Sequence, residues 1–244
     1  MSNSSDMRKI LFAIIFSSFF LQSCAQKINL GKVAEAVLGS GGGLTSAEIA
    51  SGLKEALQVG INKGADQVSV ENGYFGNPRI KIPFPEDVQK VETALRRVGL
   101  GSEVDKFVLA LNRGAEEAAK EAKPIFVSAI RQMTINDALG ILKGEQDAAT
   151  QYLKRTTSNE LISAFMPVVE KALEKTQATK YYTDLATRYN SIPFVQKVDP
   201  DLKGYATQKA VEGLFLMIAD EEAKIRKDPL ARTSDLLKKV FGSV

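Results

Sequence analysis

The chain contains no histidine, no tryptophan and a single cysteine, Cys24. The absence of histidine excludes Ser-His and Cys-His nucleophile pairs and imidazole metal sites, and one cysteine cannot build a thiolate zinc site. A disulfide within the chain is excluded as well. We therefore assign no catalytic residue and expect neither a metal centre nor a cofactor.

The chain has no large excess of positive or negative charge. Its 32 lysines and arginines nearly balance 29 acidic residues, which leaves a formal net charge of +3. The short basic pairs are dispersed among acidic residues, whereas proteins that bind nucleic acid show a strong basic face. These pairs are typical of solvated helix faces, so we expect no nucleic-acid partner. They are Arg96-Arg97, Lys154-Arg155 and Lys238-Lys239.

The apolar run near the start of the chain, Ile10 to Phe20, follows Arg8 and Lys9. A basic region followed by a short apolar core is the layout of a secretory signal peptide. The run is shorter than the roughly 20 residues that a membrane-spanning helix needs. We predict that residues 1–23 form a signal peptide that is removed.

The end of that run, Leu21-Gln22-Ser23-Cys24, resembles the bacterial lipobox. The resemblance implies cleavage before Cys24 and acylation of its thiol and its new amino group. Several acyl chains anchor a protein stably where one chain alone binds only marginally. Ala25 stands where an Asp would signal inner-membrane retention in enterobacterial lipoproteins. The expected location is therefore the bacterial cell envelope, lipid-anchored at the outer membrane and facing the periplasm.

Residues 24–44 are expected to be a lipid-anchored, flexible tether. The glycine-rich stretch Gly39-Ser40-Gly41-Gly42-Gly43 lacks the lysine of a phosphate-binding P-loop and is better explained as a linker. Thr45 followed by Glu48 is a capping-box pattern. We predict that a single helical domain, residues 45–244, begins at this point.

Apolar residues recur at helical spacing through this domain, and no repeat of fixed period is visible. Thr134, Ser158 and an aspartate at 199 or 201 are expected to cap helices, and Pro167 to kink the helix in which it lies. Only residues 74–84 show strand-like alternation, for which an ordered loop is the alternative. The predicted fold is an all-α, irregular antiparallel bundle of about nine helices with at most one short β element near residues 74–84.

The segment from Ala210 to Ala219 has Glu212 as its only polar residue. A helix that is apolar nearly all round is buried, and this one is too short to span a bilayer. We expect it at the centre of the bundle. Gly52, Gly60 and Gly64 recur in the first helix, where their small size indicates close contact with another helix.

Four strings together resemble an uncharacterised family of bacterial secreted or lipid-anchored helical proteins, known as domain of unknown function 4197. The resemblance extends from about Leu44 to Phe241. Because the family has no established activity, the resemblance implies no catalytic role for any residue. The strings are Gly76-Asn77-Pro78-Arg79-Ile80-Lys81-Ile82-Pro83, Leu111-Asn112-Arg113-Gly114-Ala115-Glu116, Gly213-Leu214-Phe215 with Glu221-Glu222, and Ile225-Arg226-Lys227-Asp228-Pro229.

Three functions remain open. The leading hypothesis is a non-enzymatic helical module that binds another envelope protein. The second is a binder of an apolar ligand, a lipid or a quinone, in a core cavity beside four phenylalanines. The third is a carboxylate-based hydrolase, which needs two acids about 5–10 Å apart. The residues in question are Phe107, Phe126, Phe165 and Phe215 for the ligand, and Glu116, Glu117, Asp137, Asp147, Glu212 and Glu221 for the hydrolase.

Four residues are candidates for binding. Asn112 borders the apolar stripe of its helix, and Arg113, Arg226 and Arg232 carry the charge to hold an acidic group. Structural ion pairs four residues apart on a helix are the alternative for the last two arginines.

Overall fold

The computed structural model describes residues 44–242 apart from 86–88, 98, 100, 175–177, 192, 195, 196, 200 and 233. The predicted signal peptide, lipobox, Cys24 and almost all of the tether lie outside the described residues. Within them are nine α-helices and no strand. They are α1 Ser46–Val68, α2 Gln89–Arg97, α3 Gly101–Ala118, α4 Ala122–Gln132, α5 Ile135–Lys143, α6 Ala148–Glu174, α7 Ala178–Asn190, α8 Leu202–Lys227 and α9 Asp235–Gly242. The all-α prediction is confirmed for this part of the chain.

Local capping determines where α1 and α5 begin. The Thr45 hydroxyl accepts a hydrogen bond from the Glu48 amide at 3.2 Å, and the Glu48 carboxylate accepts one from the Thr45 amide at 2.8 Å. Thr134 and Asp137 exchange the same two bonds at 3.1 and 3.0 Å. Both satisfy amides that have no partner inside the helix. Asp201, rather than residue 199, caps α8.

Helix α6 contradicts one boundary prediction. Ser158 does not cap a new helix but lies inside this 27-residue helix, where its hydroxyl donates to the Lys154 carbonyl at 2.5 Å. A serine can satisfy its hydroxyl in this way in a helix interior as well as at a cap. Pro167 lies within α6, as predicted.

Helix α8 lies at the centre of one continuous core and packs against α1 and α6, while α3 packs mainly on α6. In its apolar segment Ala210, Leu214 and Ile218 are buried, which confirms the expected core helix, although Leu216 is 38% exposed. No described helix has the length and apolar character needed to cross a membrane.

The glycines of α1 lie at helix contacts, as predicted. A Cβ on Gly64 would be 3.4 Å from the backbone nitrogen of Ile218 in α8, and one on Gly52 would be 2.7 Å from a methyl of Val240 in α9. Side chains at these positions would push the helices apart.

Candidate functional site

The segment between α1 and α2, residues 69–85, is an ordered loop rather than a strand. A turn opens it, with Asn72 in the left-handed region at φ 67° and the Gly76 amide donating to the Asn72 carbonyl at 2.9 Å. Residues 81–83 follow without regular structure, and Ile82 is buried. This loop, called the 69–85 loop below, is the alternative to a β element that the sequence left open.

Helix α3 holds the 69–85 loop from one side. The buried Asn112 side chain accepts from the Ile82 amide at 2.8 Å and donates to the Ile82 carbonyl at 2.9 Å. Its second donor contact is the Val108 carbonyl at 2.7 Å. One turn further on, the buried Glu116 carboxylate accepts from the amides of Tyr74 and Phe75, both at 3.1 Å. These two side chains supply the backbone partners that a strand would otherwise provide.

Helix α8 holds the same loop from the other side. The Tyr74 hydroxyl donates to the Ala210 carbonyl at 2.6 Å, and Gly213 lies so close that a Cβ there would be 2.8 Å from the Tyr74 ring. Burial and the neighbouring Glu116 charge raise the pKa of Tyr74, so it remains a neutral donor. At the surface Arg79 forms an ion pair with Asp220 at 2.5 Å.

Arg113 joins α3 to the start of the 69–85 loop. Its guanidinium donates to Glu116 at 2.5 Å, to Glu71 at 3.1 Å and to the Asn72 side chain at 3.0 Å. The Arg113 side chain is 32% exposed, so it is only partly buried by these contacts. Of the four candidate binding residues, Asn112 and Arg113 therefore lie together against this loop.

Arg226 lies at the corner between α5 and α6. Its guanidinium donates to the Ile141 carbonyl at 2.9 Å, at the end of α5, and pairs with Glu222 at 2.8 Å. Glu222 in turn accepts from the amides of Ala149 and Thr150, at 3.0 and 2.8 Å, at the start of α6. This ion pair on α8, formed by the buried Glu222 and the 12% exposed Arg226, thus caps the end of one helix and the beginning of the next.

Arg232 caps α8 itself, donating to the Ile225 and Arg226 carbonyls at 3.1 and 3.0 Å. Among the described residues no hydrogen bond or ion pair joins Arg226 and Arg232 to Asn112 and Arg113. The four candidates therefore form two separate pairs. Ligand binding by any of them stays a prediction.

A surface groove that sequence reasoning missed lies between α3 and α6, and we call it the α3–α6 groove. It has a volume of about 1250 Å³ and is open to solvent. Its apolar residues are Val70, Leu109, Ala110, Pro167, Val168 and Ala172, and its charged residues are Glu71, Glu103, Lys106, Arg113, Glu116, Glu117, Lys120 and Lys171. The one sequence signal for it was Leu109, which lies outside the buried stripe of α3.

Most charges around the groove are already paired. Lys106 pairs with Glu103 at 2.8 Å within α3, and Lys120, in the 3₁₀ turn that follows α3, pairs with Glu117 at 2.5 Å. Lys171 on α6 is exposed and forms no ion pair with any residue that the structure describes. The groove is therefore an apolar floor with a balanced charged rim and one unpaired cation.

Two further depressions are smaller. One of about 560 Å³ lies beside the 69–85 loop and α8, with Arg79, Lys81 and Lys209 among its lining residues. The other, inside the core next to Ile218, has a volume of about 20 Å³. That is room for about one water molecule.

The acids considered for hydrolysis have structural contacts. Glu221 accepts from Lys224 and Gln67, Asp137 belongs to a capping box, and Glu212 pairs with Lys209. No group of three or more acidic side chains that would hold a metal ion occurs in the described part of the chain.

Comparison with known proteins gives one match. A family model described as a protein of unknown function, DUF4197, matches residues 43–242. No curated protein and no solved structure matches the chain.

Proposed function

The chain belongs to the DUF4197 family of proteins of unknown function, and we propose that it is a lipid-anchored envelope protein that acts as a non-enzymatic interaction module. Cys24 supplies the anchor, at the outer membrane facing the periplasm, and the helical domain supplies the contact surface. The lipobox-like Leu21-Gln22-Ser23-Cys24 supports the first part of the proposal. The α3–α6 groove supports the second.

The size of the α3–α6 groove is the observation that carries the interaction role. Small-molecule sites are typically clefts of about 300–1,000 Å³ that enclose most of the ligand. At about 1250 Å³ and open to solvent, the groove is larger and less enclosed than such a site. An apolar centre with a polar rim is the usual anatomy of a protein–protein interface. The groove therefore favours a macromolecular partner over a small substrate.

The apolar-ligand alternative gains no comparable support. The core cavity of about 20 Å³ is more than tenfold smaller than a small-molecule pocket of about 300 Å³. Two of the phenylalanines considered for it, Phe126 and Phe215, pack edge to face with ring centroids 5.8 Å apart. Phe107 packs on Phe84 at 5.1 Å. These rings fill core space rather than line an opening.

The anchor is tested with a Cys24→Ser variant expressed beside the parent chain in a bacterium that processes lipoproteins. We expect the parent chain to incorporate radiolabelled palmitate and to sediment with outer membranes on a density gradient. The variant should incorporate none and leave the membrane fraction. Equal labelling of the two chains would contradict acylation at Cys24.

The interaction role is tested with two exposed apolar residues of similar accessibility. Val70 is 55% exposed and lines the groove, whereas Ile135 is 48% exposed and lies outside it. Tagged parent, Val70→Glu and Ile135→Glu chains are purified from envelopes after chemical crosslinking. We expect the parent and Ile135→Glu to recover the same partner and Val70→Glu to lose it. Recovery of background proteins alone by the parent chain would contradict the interaction role.

A further inference from the structure

The α3–α6 groove follows one face of α3 over most of its length. The lining residues from Glu103 in α3 to Lys120 in the 3₁₀ turn after it recur mostly every three or four positions, which places them on one face of this helical segment. At a rise of 1.5 Å per residue they span about 25 Å. A bound helix of about 17 residues would have the same length.

The second wall comes from α6, which contributes Pro167, Val168, Lys171 and Ala172. The two helices are in close contact at Gly114, where an added Cβ would lie 3.1 Å from that of Ala172. Two helices in such close contact form a seam in which the side-chain ridges of a third helix can pack, at an interaxial distance of about 8–10 Å.

The chemistry of the seam selects among possible occupants. An extended peptide would need an exposed strand edge for pairing, or an aromatic-lined groove if it bound as a polyproline II helix. The described residues contain no strand, and none of the described lining residues of the groove is aromatic. An amphipathic helix has all its backbone bonds satisfied internally and presents only side chains to the floor of Leu109, Ala110 and Val168. Lys171 is exposed and forms no ion pair with any described residue, so an acidic side chain of such a helix can pair with it.

We propose that the α3–α6 groove binds an amphipathic helix of another envelope protein, apolar face down, with an acidic residue placed against Lys171. The inference rests on the proposed function and adds the structure and charge of the partner. The bound helix lies along α3 and contacts the exposed Val70, which lines the groove.

The first test locates the contact. The photoreactive amino acid p-benzoylphenylalanine replaces Leu109 in the full-length chain. In a separate control variant it replaces Lys154, an exposed residue of α6 outside the groove. After irradiation of intact envelopes, the crosslinked peptide is sequenced by mass spectrometry. We expect a crosslink from position 109 only. The partner peptide should carry apolar residues at positions i, i+3, i+4 and i+7 and an acid on the flank of that stripe.

The second test uses that peptide, synthesised and labelled, as the probe. Lys171→Glu should weaken its binding to the full chain about fivefold or more, because an exposed ion pair becomes a repulsion. Lys154→Glu reverses the same charge on the same helix and should leave the Kd unchanged. Higher salt should reduce the difference between the parent and Lys171→Glu. Equal thermal unfolding midpoints of the parent, Lys171→Glu and Lys154→Glu chains establish that all three are folded.

The outcomes separate this inference from the proposed function. A partner that crosslinks from position 154 and not from 109, or a crosslinked peptide without the apolar spacing, would overturn helix docking and leave the interaction role standing. Equal binding by Lys171→Glu and the parent would overturn the acidic contact. Failure of the parent chain to recover any partner from envelopes would overturn both.

Discussion

The Asn112 side chain supplies the backbone of Ile82 with the hydrogen bonds that a neighbouring strand would otherwise provide. It bonds both the amide and the carbonyl of Ile82 in a buried position. We expect Asn112→Ala to lower the free energy of unfolding by about 1–3 kcal/mol, because buried backbone groups lose their partner. Urea unfolding measures this, with Asn136→Ala, an exposed asparagine of α5, as control. Equal stability of the two variants would contradict the role given to Asn112.

Gly213 allows the 69–85 loop to lie against α8. A Cβ there would be 2.8 Å from the Tyr74 ring and 3.1 Å from Ile80. We expect Gly213→Ala to destabilise the protein by about 1–3 kcal/mol through overpacking. Gly140→Ala, in α5 with no atom within 4 Å of the added methyl, should instead stabilise it by about 0.5–1 kcal/mol. A destabilising Gly140→Ala, or a neutral Gly213→Ala, would contradict this packing.

At the residue scale, the sequence predicts local contacts better than distant ones. The bonds between Thr45 and Glu48 and between Thr134 and Asp137 join residues three apart, so spacing alone reveals them. Asn112 was identified as a candidate from its place beside an apolar stripe. Its partner, Ile82, is 30 residues away, and only the packed fold brings the two together.

The corner between α5 and α6 depends on an ion pair from a third helix. Glu222 and Arg226 of α8 bind the free backbone groups of both helix ends; Glu222 is buried and the Arg226 side chain is only 12% exposed. We expect Glu222→Ala to cost about 3–5 kcal/mol, because the guanidinium of Arg226 is left largely desolvated without its carboxylate partner. Hydrogen exchange should quicken most at the Thr150 amide.

The matched control for that corner is Glu212→Ala on the same helix. Its carboxylate pairs with Lys209 at the surface, so its loss should cost about 1 kcal/mol or less. Similar losses of stability in Glu222→Ala and Glu212→Ala would show that the corner is not held by this pair.

The capping box of α5 should make stability depend on pH. Hydrogen bonds from the Thr134 side chain and backbone lower the pKa of Asp137 below its ordinary value of 3.8. A carboxyl with a lowered folded pKa contributes stability above its unfolded pKa and loses it as pH falls through the folded pKa. We therefore expect Asp137→Asn to lose less stability than the parent chain below about pH 4. Parallel pH profiles in urea unfolding would count against this.

At the element scale, boundaries that rest on capping were predictable and those that rest on packing were not. Thr134 begins α5 as predicted. Ser158 has the same local chemistry as a cap, but the helix continues because Leu153 and Leu161 on either side are both buried in the core. The Glu222 carboxylate caps the start of α6 although it lies more than 70 positions away in the sequence, so no local sequence pattern predicts this cap.

At the scale of the whole molecule, the bundle combines a core that the sequence predicted with a surface groove that it did not. The apolar segment of α8 is visible in the sequence as a nearly continuous run of apolar residues. The groove arises from the relative position of α3 and α6, which are in close contact at Gly114, and its residues come from these two helices, the turn after α3 and the 69–85 loop. A concave surface of this kind becomes visible only after the helices are packed.

The most direct test of the central claim, that a partner occupies the α3–α6 groove in the envelope, is the maleimide labelling of single introduced thiols. Lys171→Cys places a thiol in the groove and Lys154→Cys places one elsewhere on α6, while the parent chain, whose Cys24 we propose to be acylated, is the blank. We expect Lys171→Cys to label several-fold more slowly in intact envelopes than after purification in detergent, and Lys154→Cys to label at the same rate in both. Equal rates for Lys171→Cys in the two preparations would contradict an occupied groove.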